Sequence, residues 1–272
     1  MGLFLMLGET GMAANCLRRA AAKRFEVAGA VAVFLCAGSS ALGQAAPHED
    51  MRIPPSIVIG FMGGNVASDD ASRNELIVAN RLRASYPEGS YIQVFANRNF
   101  EDAHKTILQL LAPTPTSGLS PEEKKRAKIV LYGHSWGASA VVTLANELKK
   151  DGIPVLLTIQ VDSVQKRSQN DAIIPGNVER AVNFFQPNGM LHGRNEIRAA
   201  DPEHTTILGN FRYSYKETPA ECHSYPWYER VFIKSHIAIE CDPVLWKRIE
   251  VLIRGSLGQP AEQSAGLRSP TK

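Results

Sequence analysis

Gly133-His134-Ser135-Trp136-Gly137 sets a hydroxyl between two glycines, directly after an apolar run and directly before a helical one. A serine so placed can attack an acyl carbon once a base takes its proton, which is nucleophilic catalysis through a covalent intermediate. Upstream, Lys128-Ile129-Val130-Leu131-Tyr132 is short, apolar and β-branched, as a strand buried on both faces should be. Downstream, Ala140, Val141, Leu144, Ala145 and Leu148 recur at helical spacing until Gly152 stops the pattern. In that strand–turn–helix setting a G-x-S-x-G pentapeptide forms a nucleophile elbow, and its glycines let strand and helix approach without a Cβ clash.

The elements that must position this serine alternate in type. The patterns predict strands over 56–60 and 91–96 and helices over 73–85 and 102–112, then a short helix opened by the capping box Ser120-Pro121-Glu122-Glu123. After the elbow helix, residues 154–161 read as a buried strand with Asp162 at its C-terminal end, and 181–186 as the next. Such alternation predicts one α/β domain built on a doubly wound, mostly parallel sheet. In open sheets of this kind ligands bind at the carboxyl ends of the strands, the edge that carries both Ser135 and Asp162.

Residues of roughly 55–255 resemble the α/β-hydrolase superfamily, specifically its small lipase, esterase and thioesterase-like members. The resemblance rests on the elbow and on a chain that can supply the order Ser, Asp/Glu, His. It implies a reduced sheet of that type, without the leading antiparallel hairpin and without a large lid. It also implies a triad. Ser135 is the nucleophile, His236 the base and Asp162 the acid, with Asp201 second and Asp171 third as alternatives for the acid. The family more often carries its acid one strand later than Asp162, where this chain has no carboxylate before Glu196. His236 is selected by position, ahead of the N-cap and N1 pair Asp242-Pro243 of a final helix through Leu245, Trp246, Ile249 and Leu252, and is expected on a loop. His134, next to the nucleophile, is expected to point away from the serine hydroxyl. The backbone N–H groups of Trp136 and Phe61, with Met62 as the alternative to Phe61, are the implied oxyanion donors. Departures are the missing histidine ahead of Gly60-Phe61-Met62-Gly63-Gly64, and Ala138 where many members have glycine.

No metal is expected, since no histidine pair has helical ligand spacing, and the serine-hydrolase reading calls for no organic cofactor. Phe211, Tyr213, Tyr215, Tyr225, Trp227 and Tyr228, just upstream of His236, read either as pocket walls or as ordinary packing.

Residues 1–45 read as a signal peptide: Arg18, Arg19, Lys23 and Arg24, an apolar run from Val27 to Ala37, then small residues to Ala45. Met12 is an alternative start, and an uncleaved membrane anchor the alternative fate. Cleavage leaves a 46–255 domain and a 256–272 tail expected to be disordered. The cleaved chain keeps 26 of the 30 Lys+Arg and 25 of the 27 Asp+Glu, a balance that points to neither nucleic acid nor an acidic partner. It also keeps Cys222 and Cys241, an even pair able to close a disulfide in an exported protein. The expected function is a secreted serine hydrolase, periplasmic or extracellular, acting on a small or lipid-like carboxylic ester or thioester. An acyltransferase and a non-catalytic binding protein on the same scaffold are the alternatives.

Overall fold

The computed structural model describes residues 56–86, 89–112, 118–126, 128–166, 169–216, 222, 223, 225 and 227–258. The segment read as a signal peptide and residues 259–272 lie outside them. In chain order the elements are β1 (Ser56–Met62), α1 (Asn74–Ser85), β2 (Ser90–Ala96), a 3-10 turn (Asn97–Asn99), α2 (Phe100–Leu111), α3 (Pro121–Arg126), β3 (Ile129–His134) and α4 (Trp136–Lys150). They continue with β4 (Val155–Val161), β5 (Ile173–Ile174), β6 (Val178–Phe185), β7 (Arg198–Ala199), β8 (Thr206–Arg212), α5 (Trp227–Phe232), α6 (Lys234–Glu240) and α7 (Pro243–Leu257).

Six strands form one sheet in the order β2-β1-β3-β4-β6-β8, with each neighbouring pair parallel. The β-branched and apolar residues of β1, β3 and β4 are buried on both faces because helices cover both. One face packs Val78, Ala79 and Leu82 of α1 with Trp246, Ile249 and Ile253 of α7. The other packs Ala103, Ile107 and Leu111 of α2 with Val141, Leu144 and Leu148 of α4. Each large apolar side chain taken fully from water contributes about 1.5–3 kcal/mol to holding these layers together. Strand order reverses between β1 and β3, so the loops after them splay apart and leave a crevice at the carboxyl edge.

Local chemistry sets several boundaries. Ser120 N–H donates to Glu123 Oε2 (2.7 Å) and Glu123 N–H to Ser120 Oγ (3.2 Å), the reciprocal capping box that starts α3. The Asp242 side chain accepts from Val244 N (2.9 Å) and Leu245 N (3.2 Å) ahead of Pro243, which starts α7. β8 is a sixth parallel strand, in a stretch for which the sequence patterns predict no element. Two expectations are corrected. His236 lies in the short helix α6 rather than on a loop. And α7 runs through Leu257, whose side chain is buried, so residues 256 and 257 belong to the domain and not to a tail. Among the described residues no helix is long and apolar enough to cross a membrane.

Candidate active site

Ser135 occupies the turn between β3 and α4 at φ 56°, ψ −122°. A non-glycine residue held at positive φ costs on the order of 1–3 kcal/mol and persists only where its surroundings fix it. They do so here: Ser135 N–H donates to Val161 O (2.9 Å), and its carbonyl accepts from Ala138 N (3.1 Å) and Val164 N (3.2 Å). Both flanking glycines are required by packing. A Cβ on Gly137 would stand 2.2 Å from Phe61 O, and one on Gly133 would stand 2.6 Å from the Gly137 carbonyl carbon.

α6 brings His236 over the turn. Its Nε2 is 2.8 Å from Ser135 Oγ and its Nδ1 2.6 Å from Asp162 Oδ2. With the proton on Nδ1, the ring donates to Asp162 and accepts from the serine hydroxyl, the tautomer a general base needs. Asp162, at φ 44° just past β4, is fully buried. Its Oδ1 accepts from Gln186 N (3.1 Å) and Gly193 N (2.8 Å), and its Oδ2 from Gln186 Nε2 (2.8 Å) as well as the histidine. A buried carboxylate with this many donors is both satisfied and oriented.

The other acid candidates go elsewhere. Asp171 is buried against Ser163 Oγ (2.5 Å) and the Arg194 guanidinium (2.7 Å). Asp201 pairs with His204 (2.8 Å) on the exposed surface, where that contact holds its carboxyl below the usual range. Neither carboxyl is bonded to His236.

Of the two expected oxyanion donors, Trp136 is the first residue of α4, where backbone N–H groups have no partner inside the helix. The other expected donor needs correcting. Phe61 is fully buried within β1, in register with Phe95 on one side and Gly133 on the other, and a strand amide there faces a ladder partner. The crevice is lined instead by Met62, Gly63 and Gly64. A Cβ on Gly63 would stand 3.3 Å from Ser135 Cβ, so this turn passes beside Ser135. Asn97 braces it, donating from Nδ2 to Met62 O (3.0 Å) and Gly64 O (2.5 Å) while its Oδ1 accepts from Lys166 Nζ. That ammonium also lies 5.3 Å from the centroid of the Trp136 ring, tying together the two sides of the crevice.

His134 lies nearer the chemistry than its expected orientation implied. Its ring packs on that of His236 with centroids 4.7 Å apart, and it lines the same crevice. Burial, reinforced by His236, holds its imidazole well below the ordinary histidine range, so it is neutral at pH 7. The crevice has a volume of about 510 Å³ and more apolar than polar lining, including Trp136, Val164, Leu191 and Ile233. Of the aromatics upstream of His236, Tyr225 lines it, whereas Phe211 and Tyr213 pack against Phe184 at 5.5 and 6.0 Å, and Tyr213 stacks with Tyr215. A disulfide joins Cys222 to Cys241 across 19 positions, closing a loop that contains His236. Among the described residues no group of three or more His, Cys, Asp or Glu side chains is arranged to hold a metal ion.

Gln186, Gly193 and Asn97 were missed in the sequence reading. Gln186 carried a signal: it is a polar residue directly after Phe184-Phe185 at the end of β6, at the same sheet edge as Asp162.

No protein-family model and no curated protein sequence matches the chain. Solved structures similar to it include a cutinase-like protein from Cryptococcus sp., 12% identical over 76% of this chain and 96% of that one, with a TM-score of 0.41. An acetylxylan esterase is 12% identical over 75% and 99% with a TM-score of 0.36, and RedJ is 11% identical over 62% and 84% with a TM-score of 0.35. The parallel six-stranded sheet with helices on both faces, and Ser135 held at positive φ on the turn between β3 and α4, is an open, doubly wound α/β fold.

Proposed function

We propose that the chain is a serine hydrolase that cleaves carboxylic esters or thioesters through an acyl-enzyme on Ser135. The observation that carries this is the continuous hydrogen-bond chain from Ser135 Oγ through His236 to Asp162. Ser135 Oγ attacks the acyl carbon as its proton passes to His236 Nε2, and the tetrahedral oxyanion is met by the Trp136 amide and an amide of the Met62–Gly64 turn. Collapse expels the alcohol or thiol, which takes the proton from His236. Water, deprotonated by the same nitrogen, then attacks the ester of Ser135 and releases the acid. Asp162 holds the ring in this tautomer and stabilises the imidazolium that forms. Export is part of the proposal, supported by the leader-like residues 1–45 and by the disulfide.

A panel of p-nitrophenyl esters of increasing acyl length, with one thioester alongside, tests the reading on the purified full chain. Hydrolysis that disappears in Ser135→Ala supports it, and hydrolysis that survives in Ser135→Ala overturns it.

A further inference from the structure

Asp171 is a fully buried carboxyl that the chemistry at Ser135 does not use and that does not line the crevice. Both its carboxyl oxygens are engaged. Oδ1 accepts from Arg194 Nε (2.9 Å) and Nη2 (2.7 Å), and Oδ2 from the Ser163 hydroxyl (2.5 Å). Its carbonyl accepts from Gln160 Nε2 on β4 (2.9 Å), which pins the residue to the sheet. A buried ion pair is a poor source of stability, because desolvation offsets much of the attraction. What such a pair fixes is the relative placement of the segments it joins, and here both segments lead to the acid.

Ser163 directly follows Asp162, and Arg194 directly follows Gly193. Asp171 therefore grips the two residues next to the bond from Gly193 N–H to Asp162 Oδ1 (2.8 Å). The main chain closes the same gap: Arg194 N–H donates to Ser163 O (2.8 Å), while Arg194 O accepts from Asn183 Nδ2 on β6 (2.8 Å). Arg194 Nη2 also donates to Gln165 Oε1. Asp162 needs such support, since at φ 44° it keeps a conformation that a non-glycine residue holds only where its surroundings impose it. Its Oδ2 must meet His236 Nδ1 at 2.6 Å, and its Oδ1 is held by two amides, those of Gln186 (3.1 Å) and Gly193. Gln186 ends β6 and is placed by the sheet. Gly193 lies in the connection from β6 to β7 and is placed by the bonds of Arg194.

We propose that Asp171 is a positioning residue for the reaction: through Ser163 and Arg194 it sets the Gly193 amide on Asp162 and thereby aims the acid at His236. The proposal rests on the serine-hydrolase reading above and adds to it a second buried carboxylate that never meets the substrate. Arg194 works with Asp171 as one unit, its guanidinium on the carboxylate and its main chain carrying the loop.

The test compares Asp171→Asn, Arg194→Met and Arg194→Lys with wild type as purified full chains, and has two readouts. One is kcat and KM on a p-nitrophenyl ester. The other is the proton NMR resonance of His236 Nδ1–H, which a short, charge-assisted bond to Asp162 carries far downfield and which His236→Ala identifies by removing it. Asp171→Asn and Arg194→Met should each lower kcat by on the order of ten- to a hundredfold, the effect of a small misplacement, short of the ten-thousandfold that loss of the acid costs. KM should stay within about twofold, because neither side chain lines the crevice. The downfield resonance should shift or broaden in both variants. Arg194→Lys, which returns a charge and one donor to Asp171, should recover part of kcat and of the resonance. Arg194→Met keeps the stem of a side chain that is 32% exposed, so it decides the matter should Asp171→Asn not fold. An unmoved resonance overturns the proposal, whether kcat stays within about threefold or falls, and so does a rise in KM with kcat intact. Failure of the underlying reading shows differently, as ester hydrolysis that persists in Ser135→Ala.

Discussion

Gly193 is where the account of Asp162 is most exposed to experiment. The chain passes so close there that a β-carbon would stand 2.2 Å from the Asp162 carbonyl carbon and 2.4 Å from its Cα. Both are backbone atoms, so Gly193→Ala must move either this loop or the end of β4. Overpacking of this kind costs about 1–3 kcal/mol. The displaced loop also gives up the 2.8 Å bond from Gly193 N to Asp162 Oδ1, a bond to a charged group worth about 1.5–3 kcal/mol. Together these predict a loss of roughly 2.5–6 kcal/mol, or a drop of roughly 5–24 °C in Tm for a domain of this size. Catalysis should suffer too, because the acid loses part of what aims it at His236. Complete loss of the acid's role costs on the order of ten-thousandfold in comparable triads, and we expect Gly193→Ala to forfeit on the order of a hundredfold in kcat. The comparator is Gly255→Ala in α7, where a Cβ meets nothing within 4 Å and the helix should gain up to about 1 kcal/mol. Thermal melts and p-nitrophenyl ester turnover on both variants decide the matter. A Gly193→Ala protein melting within about 2 °C of wild type, with kcat within threefold, would refute the close-approach argument.

Three further outcomes are expected. Asp162→Asn should lower turnover by on the order of ten-thousandfold by favouring the wrong imidazole tautomer, while Asp201→Asn, on the exposed surface with His204, should change little; ester kinetics on the two variants check the ranking, and the reverse order would refute it. Reducing Cys222–Cys241 should lower Tm, because in the chain-entropy model a loop of this length contributes about 3 kcal/mol; Cys222→Ser should reproduce the shift, and melts with and without reductant read it. For His134, whose folded pKa is depressed, the unfolded chain binds the extra proton, so stability is full above pH 6.5 and falls below it by up to about 1.4 kcal/mol per pH unit. Denaturant melts between pH 6.5 and 5 should show a shallower decline in His134→Gln than in wild type.

Much of the architecture could be read from local pattern because the central strands are apolar on both faces and their helices have clear periods. β3 and α4, with glycines at 133 and 137, are of this kind, and so is β4 leading into Asp162. β8 was not legible. Its residues are half-buried or exposed, Gly209 sits at positive φ within it, and its register against β6 shifts between Ala181 and Val182, so neither an alternating nor a continuous apolar pattern survives. α6 was missed for the opposite reason: His236 through Glu240 are all buried, and a short helix buried all round shows no amphipathic period. The donors that hold Asp162 come from 24 and 31 residues away. No window of local sequence contains such contacts, and sheet order alone brings them together. Phe61 was chosen by analogy of loop position, and the ladder registers of β1 with β2 and β3 carry the strand two residues beyond its expected end, moving the turn to Met62–Gly64.

The central claim is that Ser135 is a nucleophile activated by His236 and Asp162, and an active-site-directed fluorophosphonate reports on it most directly. Intact mass followed by peptide mapping should find one phosphonyl adduct per chain, on Ser135, with labelling abolished in Ser135→Ala and slowed by orders of magnitude in His236→Ala. A folded protein that takes up no label, or that carries it on another residue, would contradict the claim.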